Sequence, residues 1–593
     1  IRRPPRSTQS RSSAASDVYK RQYLYPFIAL VSFIFTDIPN TYAKAVSNLI
    51  LINAKIYTVN DQQPWAEALV ISDGDIIFVG NNHDALNYKN SRSQIKDLQG
   101  KMLLPGFHDI HVHPVHGGVT YLQCNLSGIK GLENLLIKIQ SCADNNPDSD
   151  WVLGGGWAID NFAANTLPDK ALLDQIITNK PIALKSSDGH SLWVNSKALK
   201  ISKISAKTKD PVNGKIERYN QSSEPSGLLH EDNAMMLVMQ HQPQLSEKEL
   251  IDGLRYARNL FHSYGITGVQ DAILKLEPGD PYYGLNAYKY LEANNELNLH
   301  VITAMFWKNG QPLEPQLKNF IDVKNQQKDS ELIHISAIKI WQDGVIETYT
   351  AAMIEPYSDR EDNFRGELQN TPNDLNDAVI ALDAEGFQIH FHAIGDRAIN
   401  VAFNSLENAR YINGIRDSRH HISHIQVFQE KDINRFVELD VVANFQPLWA
   451  IRDEYITEHT YSKIGNQRSQ WLYPIGSVHR TGAKIGFGSD WYVTSVNPLD
   501  GIEAAVTRLE PNGLTNIPLG KNEEINLATA IKAYTINGAF VNFLDHKVGS
   551  IEIGKQADLI VLDNNLFDLP TSQINETKVL ATLFNGLLVY GKL

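Results

Sequence analysis

Short apolar runs rich in β-branched residues alternate with amphipathic stretches along most of this chain. Near the start, Leu49-Ile50-Leu51-Ile52, Lys55-Ile56-Tyr57-Thr58-Val59 and Ala68-Leu69-Val70-Ile71 read as strands. Ser72-Asp73-Gly74-Asp75 then turns the chain into Ile76-Ile77-Phe78-Val79-Gly80. Asp-Gly between β-branched runs signals a hairpin, because the tight turn needs residues that tolerate positive φ. The other end repeats the pattern at 548–551, 557–562, 579–580 and 588–590. Two strand-rich ends around a long middle predict a small β-sandwich domain built from residues 46–103 and 541–593.

Between them, residues 104–540 alternate strand-like and helix-like segments. Candidate strands lie at 182–185, 268–270, 300–304, 336–340, 387–392, 421–424, 441–445 and 485–488, and candidate helices at 249–264, 372–385 and 397–411. Sustained β/α alternation over several hundred residues predicts a TIM-like (β/α)8 barrel, of α/β class, with an insertion at about 115–235. A doubly wound open sheet is the alternative, but no G-x-G-x-x-G follows a strand.

Hydrophobic residues make up 42% and charged residues 20% of the 593, the composition of an ordinary globular protein. Residues 1–22 (IRRPPRSTQSRSSAASDVYKRQ) show no apolar periodicity and read as a non-native scar or a disordered arm. Their six basic residues and one acid carry +5, so the net −13 of the whole chain becomes −18 without them. An acidic body of that kind disfavours nucleic acid and anionic membranes as partners. Residues 23–36 (YLYPFIALVSFIFT) are apolar but shorter than the ~20 residues that span a bilayer. With Ala43-Lys44-Ala45 they predict a signal peptide over 23–45, a periplasmic or secreted protein, and no stable membrane anchor after cleavage. The two cysteines, Cys124 and Cys142, are equally consistent with a disulfide and with two buried thiols.

The candidate chemistry sits where apolar runs end in polar residues. His111 and His113 close the run Leu104-Pro105-Gly106-Phe107-His108-Asp109-Ile110-His111-Val112-His113. Side chains two apart on a strand project together, and two neutral imidazoles make half of a site for a divalent ion. Lys339, His392, His424 and Asp490 end other strand-like runs, and in a barrel such residues gather at one mouth. His390 shares a face with His392 and is the competing ligand there; His108 and His116 flank the first motif, and His420 and His421 read as polar neighbours.

Together these motifs resemble the amidohydrolase superfamily, and within it the YtcJ-like (amidohydrolase 3) group. The stretches that carry the resemblance are PGFHDIHVHP at 105–114, Gly156-Trp157, Asp188-Gly189-His190, 193–199, Pro225-Ser226-Gly227, Lys339-Ile340 with Asp343-Gly344, HAIGDRA at 392–398 and GSDWYV at 488–493. They span nearly the whole chain after the leader. The resemblance implies that His111, His113, His392, His424 and Asp490 hold one or two divalent ions, zinc foremost, and that Lys339 is carboxylated and bridges them. It departs at Ser423, where the group often has Glu. The implied reaction is hydrolysis of a non-peptide carbon–nitrogen bond, such as an N-substituted amide, by attack of metal-bound hydroxide. Asp490 would move the proton, His190 would hydrogen-bond the developing oxyanion, and Trp157 and Trp491 would line the pocket of a small-molecule substrate. The alternatives are ester hydrolysis at the same site and an exported, non-catalytic binding protein. A homodimer is one option for the assembly.

Overall fold

The computed structural model describes residues 48–593 apart from 164–165, 178, 213, 221, 278–282, 514–515 and 521. The scar and signal-peptide expectations therefore lie outside the described residues.

Eight parallel strands form the central sheet. They are β1 (Phe107–Val112), β2 (Ile266–Leu274), β3 (His300–Phe306), β4 (Ile333–Trp341), β5 (Gln388–Ala393), β6 (His421–His424), β7 (Val442–Phe445) and β8 (Ile485–Phe487). They pair in sequence order from β1 to β8. The seam between the first and last strands is knitted just beyond β8, where Asp490 N–H donates to His111 O at 2.7 Å and Ser489 N–H to the Asp109 carboxylate at 3.0 Å. Helices cover the outside. One of them, Glu247–Ser263, starts at a capping box in which Ser246 and Glu249 satisfy each other's backbone N–H groups. This is the TIM-like barrel that the alternation predicts.

The two ends of the chain share a separate core. Leu559–Leu562 pairs antiparallel with Met102–Pro105, so strands from both termini lie in one six-stranded sheet. Leu51, Leu69 and Ile71 of a four-stranded sheet pack in one apolar cluster with Ile56, Leu103, Leu559 and Val561 of that six-stranded sheet. The expected hairpin turn is present, with Asp73 at φ 49° and Gly74 at φ 92°. Residues 548–551 form no strand; Gly549 turns there at φ 89°, and its missing side chain leaves room for Ala539.

Between β1 and β2 the chain builds a second six-stranded sheet. Ile182–Ser186, read from sequence as a candidate barrel strand, belongs to this sheet and not to the barrel. Its hairpin with Ser191–Val194 carries Asp188, Gly189 and His190 at the tip. Cys124 and Cys142 are disulfide-bonded in the same unit, with Cα atoms 5.5 Å apart.

Candidate metal centre

The strand ends converge on a buried cavity of about 30 Å³. His111, His113, Lys339, His392, His424 and Asp490 all line it, as do Asp188, Gly189 and His190 from the insertion hairpin. Three ligand atoms, one each from His111, His424 and Asp490, lie within 4.8 Å of one another, the one such group among the described residues. His113 Nε2 is 3.0 Å and His111 Nε2 3.7 Å from Asp490 Oδ1, and Lys339 Nζ is 3.2 Å from His111 Nε2. His392 stands beside this group: its ring lies 4.5 Å from that of His424, but its Nε2 contacts Gly344 O at 3.3 Å.

Local backbone conformation aims these groups. His424 ends β6 at φ 79° and Asp490 follows β8 at φ 54°, left-handed conformations that turn the side chains off the regular alternation. Asp109 accepts from the N–H groups of both His111 and Ser489, tying the first ligand strand to the loop that carries Asp490. Burial raises its carboxyl to about 7, against the pull of those hydrogen bonds. His390, the competing ligand, instead contacts His111: its Nε2 is 3.0 Å from His111 Nδ1, with Ser423 Oγ 2.9 Å away. Engaging Nδ1 leaves His111 Nε2 facing the cavity, the usual way in which an outer partner orients a ligand imidazole. Ser423, the departure from the group's pattern, thus supports His390.

Burial is the main electrostatic influence here. It drives His111, His392 and His424 well below the ordinary histidine value, and neighbouring imidazoles and Lys339 push the same way. These rings are neutral and keep a lone pair each. Burial also lowers Lys339 to about 7, only partly offset by Asp490. His424 Nδ1 is buried without a hydrogen-bond partner and points at Asp490 Oδ2, 3.8 Å away. An orphaned lone pair beside a carboxylate is costly unless something positive sits between them. The donor set of imidazole and carboxylate fits a divalent ion such as zinc.

His190 faces this group from the insertion. Its Nδ1 is 3.0 Å from Glu231 Oε2, and its ring lies 5.4 Å from that of His392. Burial disfavours its cation, yet the charge and hydrogen bond of Glu231, with help from Asp188, raise His190 to about 9.

The two tryptophans expected at the pocket do not line the metal cavity itself, although Trp157 lines a neighbouring cavity that shares Asp188 with it. Trp157 is buried in the insertion's core and donates its Nε1–H to Leu184 O. Trp491 packs against Tyr121 and Phe261 in the main core. Trp341 and Trp449 line the cavity instead, Trp449 stacking on His424 at 4.8 Å. Trp341 stands two residues after Lys339 on one strand, a period-two signal that the sequence offered. Glu231, 41 positions from His190, carried no such signal. His116 contacts Tyr492 Oη at 3.1 Å outside the cavity lining, while His420 contacts Asp383 at 3.0 Å and His421 contacts Asn444 at 3.1 Å.

An eight-stranded parallel barrel with buried histidines and an aspartate at its mouth is the architecture of a metal-dependent hydrolase. The sequence profile of the amidohydrolase family matches residues 94–590, and the chain belongs to that family. It is 31% identical to Protein LONG AFTER FAR-RED 3 of Arabidopsis thaliana over 92% of each chain. It is 25% identical to N-substituted formamide deformylase of Arthrobacter pascens, covering 92% of this chain and 98% of that one. An uncharacterized metal-dependent hydrolase from Pyrococcus horikoshii shares the fold at a TM-score of 0.68 and 22% identity, over 88% of this chain and 99% of that one.

Proposed function

We propose that this hydrolase cleaves a non-peptide carbon–nitrogen bond of a small molecule, such as an N-substituted amide. The observation that carries the reading is the convergence of His111, His424 and Asp490 on one point, with His190 facing it across the cavity. His111, His113, His424 and Asp490 would hold a divalent ion, with His392 and Lys339 available for a second. A bound divalent ion supplies a water whose pKa falls to about 7. Asp490, facing that position, would accept a proton on its carboxylate and return it to the leaving nitrogen. His190, held as a cation by Glu231, donates a hydrogen bond to the carbonyl oxygen as negative charge develops there. Lys339, with a free amine accessible near neutral pH, is suited to carboxylation by carbon dioxide. The similarity to a formamide deformylase supports an amide over an ester.

The signal-like segment at 23–45 and the Cys124–Cys142 disulfide support a periplasmic or secreted location, since disulfides persist in oxidising compartments. The test is metal analysis of the purified protein followed by turnover of matched formamides, carbamates and esters. Metal bound at one or two equivalents with turnover of the nitrogen compounds is expected. Hydrolysis confined to the esters, or no metal, would overturn the reading.

A further inference from the structure

The cavity around the ligands has room for little more than one water molecule, so most of any substrate must lie outside it. A second cavity of about 1120 Å³ adjoins it, and Trp341 lines both. That volume is slightly larger than the pockets that usually enclose a whole small-molecule ligand, so it has room for one. The larger cavity opens between the ends of β3 and β4 on one side and the insertion helix Glu231–Met239 on the other.

Its inner wall is aromatic. Phe306 and Trp341 end adjacent barrel strands and meet edge to face, with centroids 5.2 Å apart. Both are partly exposed, whereas Trp307 beside them is buried and donates its Nε1–H to Asn370 at 3.1 Å. Trp341 also lies 5.8 Å from the His190 ring, so the aromatic wall runs directly into the reaction site. The charges in the cavity do not suit an anion. Lys275 is tied to Asp232 at 3.0 Å and sits over Phe306, and Lys308 is tied to Glu277 at 2.6 Å. Asp374 and Asp377 add two exposed carboxylates at the rim. Flat rings favour edge-to-face and offset contacts with such a wall.

We propose that this cavity is the subsite for the substrate's larger substituent, that it selects a neutral or cationic arylalkyl group, and that Phe306 and Trp341 are its specificity-determining walls. The proposal rests on the hydrolase reading for its biological meaning, but binding tests it without turnover. The probes are 2-phenylethylamine and ethylamine, titrated calorimetrically into the metal-loaded protein. Wild type should bind the aromatic amine at least about tenfold tighter, the value of one ring partly removed from water. Phe306→Ala and Trp341→Ala should each cut that ratio by about fivefold or more, with metal content and melting temperature recorded alongside. Phe306→Leu, which keeps most of the volume, serves if the alanine variant fails to fold. In parallel, the kcat/KM ratio for N-(2-phenylethyl)formamide over N-ethylformamide should fall in the same variants. Absence of a ring preference in wild type, or a preference untouched by all variants, would overturn the subsite. A ring preference lost in the variants, with neither formamide hydrolysed, would sustain the subsite and exclude N-alkylformamides as its substrate.

Discussion

Histidine gathers at both ends of this barrel, and the two gatherings behave differently. At the mouth, nitrogens of His111 and His424 and an oxygen of Asp490 point at one another within 4.8 Å. At the floor, His108, Gly268 and His300 form one row across β1, β2 and β3. Gly268 has no side chain, so the rings of His108 and His300 come together above it, nearly parallel at 10° with centroids 6.4 Å apart. Asp558, from the terminal β domain, reaches His300 Nε2 at 3.2 Å. Both ends hold buried imidazoles beside one carboxylate. Only the mouth aims its lone pairs at a shared point, and convergence rather than composition makes a metal site.

The sharpest way to break this contrast is to remove one carboxylate from each end. Asp490→Asn should lower turnover by about 10²- to 10⁴-fold, the range for losing a positioned acid–base group, and should weaken metal retention. Asp558→Asn should leave metal content and turnover near wild type. Parallel metal analysis and steady-state kinetics on the two variants decide it. Metal loss from Asp558→Asn, or full activity in Asp490→Asn, would erase the distinction.

The second effect is on stability and falls at the floor. Asp558 accepts from Asn585 N–H at 2.7 Å, and its other carboxylate oxygen lies 3.2 Å from His300 Nε2. Asp558→Ala should therefore cost about 1–3 kcal/mol in urea unfolding, the penalty for stranding buried partners.

Sequence reading reached the mouth more easily than the floor. The residues that line the mouth end apolar runs, and strand-end position together with His-x-His spacing picks them out of one chain. His108 lies only three residues before His111, yet it stands in the row with His300, a partner set by strand register rather than by local spacing. Register also explains why the candidate barrel strand at 182–185 lies outside the barrel. Its apolar run looks like any parallel strand, and only its pairing with 191–194 shows that it belongs to the insertion. Spacing alone does not separate His390 from His392, since both share a face; the HAIGDRA motif, not geometry, favours His392 as the ligand. The contact from His390 to His111 Nδ1 depends on how far β5 stands from β1 across the barrel. Motif neighbourhood places Trp157 and Trp491 near the mouth but does not say which way a side chain turns: Trp157 lines a neighbouring cavity, and Trp491 packs against Tyr121 and Phe261.

Acid should loosen both ends, and the sign follows from the direction of each shift. Burial, with the charge of His300, lowers His108 from 6.5 to about 3. The unfolded chain takes up a proton below pH 6.5 while the folded chain refuses it, so stability is full above 6.5 and drains away as pH falls toward 3. At pH 5 this one residue removes about 2 kcal/mol. His111, His392 and His424 add losses of the same sign at the mouth. His108→Gln should flatten part of the decline in unfolding free energy between pH 6.5 and 4.5 without touching metal content. An unchanged slope would mean that the floor histidine is solvated and titrates normally.

The smallest effect concerns a buried polar atom outside both gatherings. Thr303 Oγ1, on β3, is fully buried and has no hydrogen-bond partner. Removing an unsatisfied hydroxyl while keeping the side chain's shape relieves its desolvation cost instead of stranding a partner. Thr303→Val should accordingly leave turnover and metal content unchanged and raise unfolding free energy by about 1 kcal/mol. A loss of stability would mean that Oγ1 is satisfied by an ordered water.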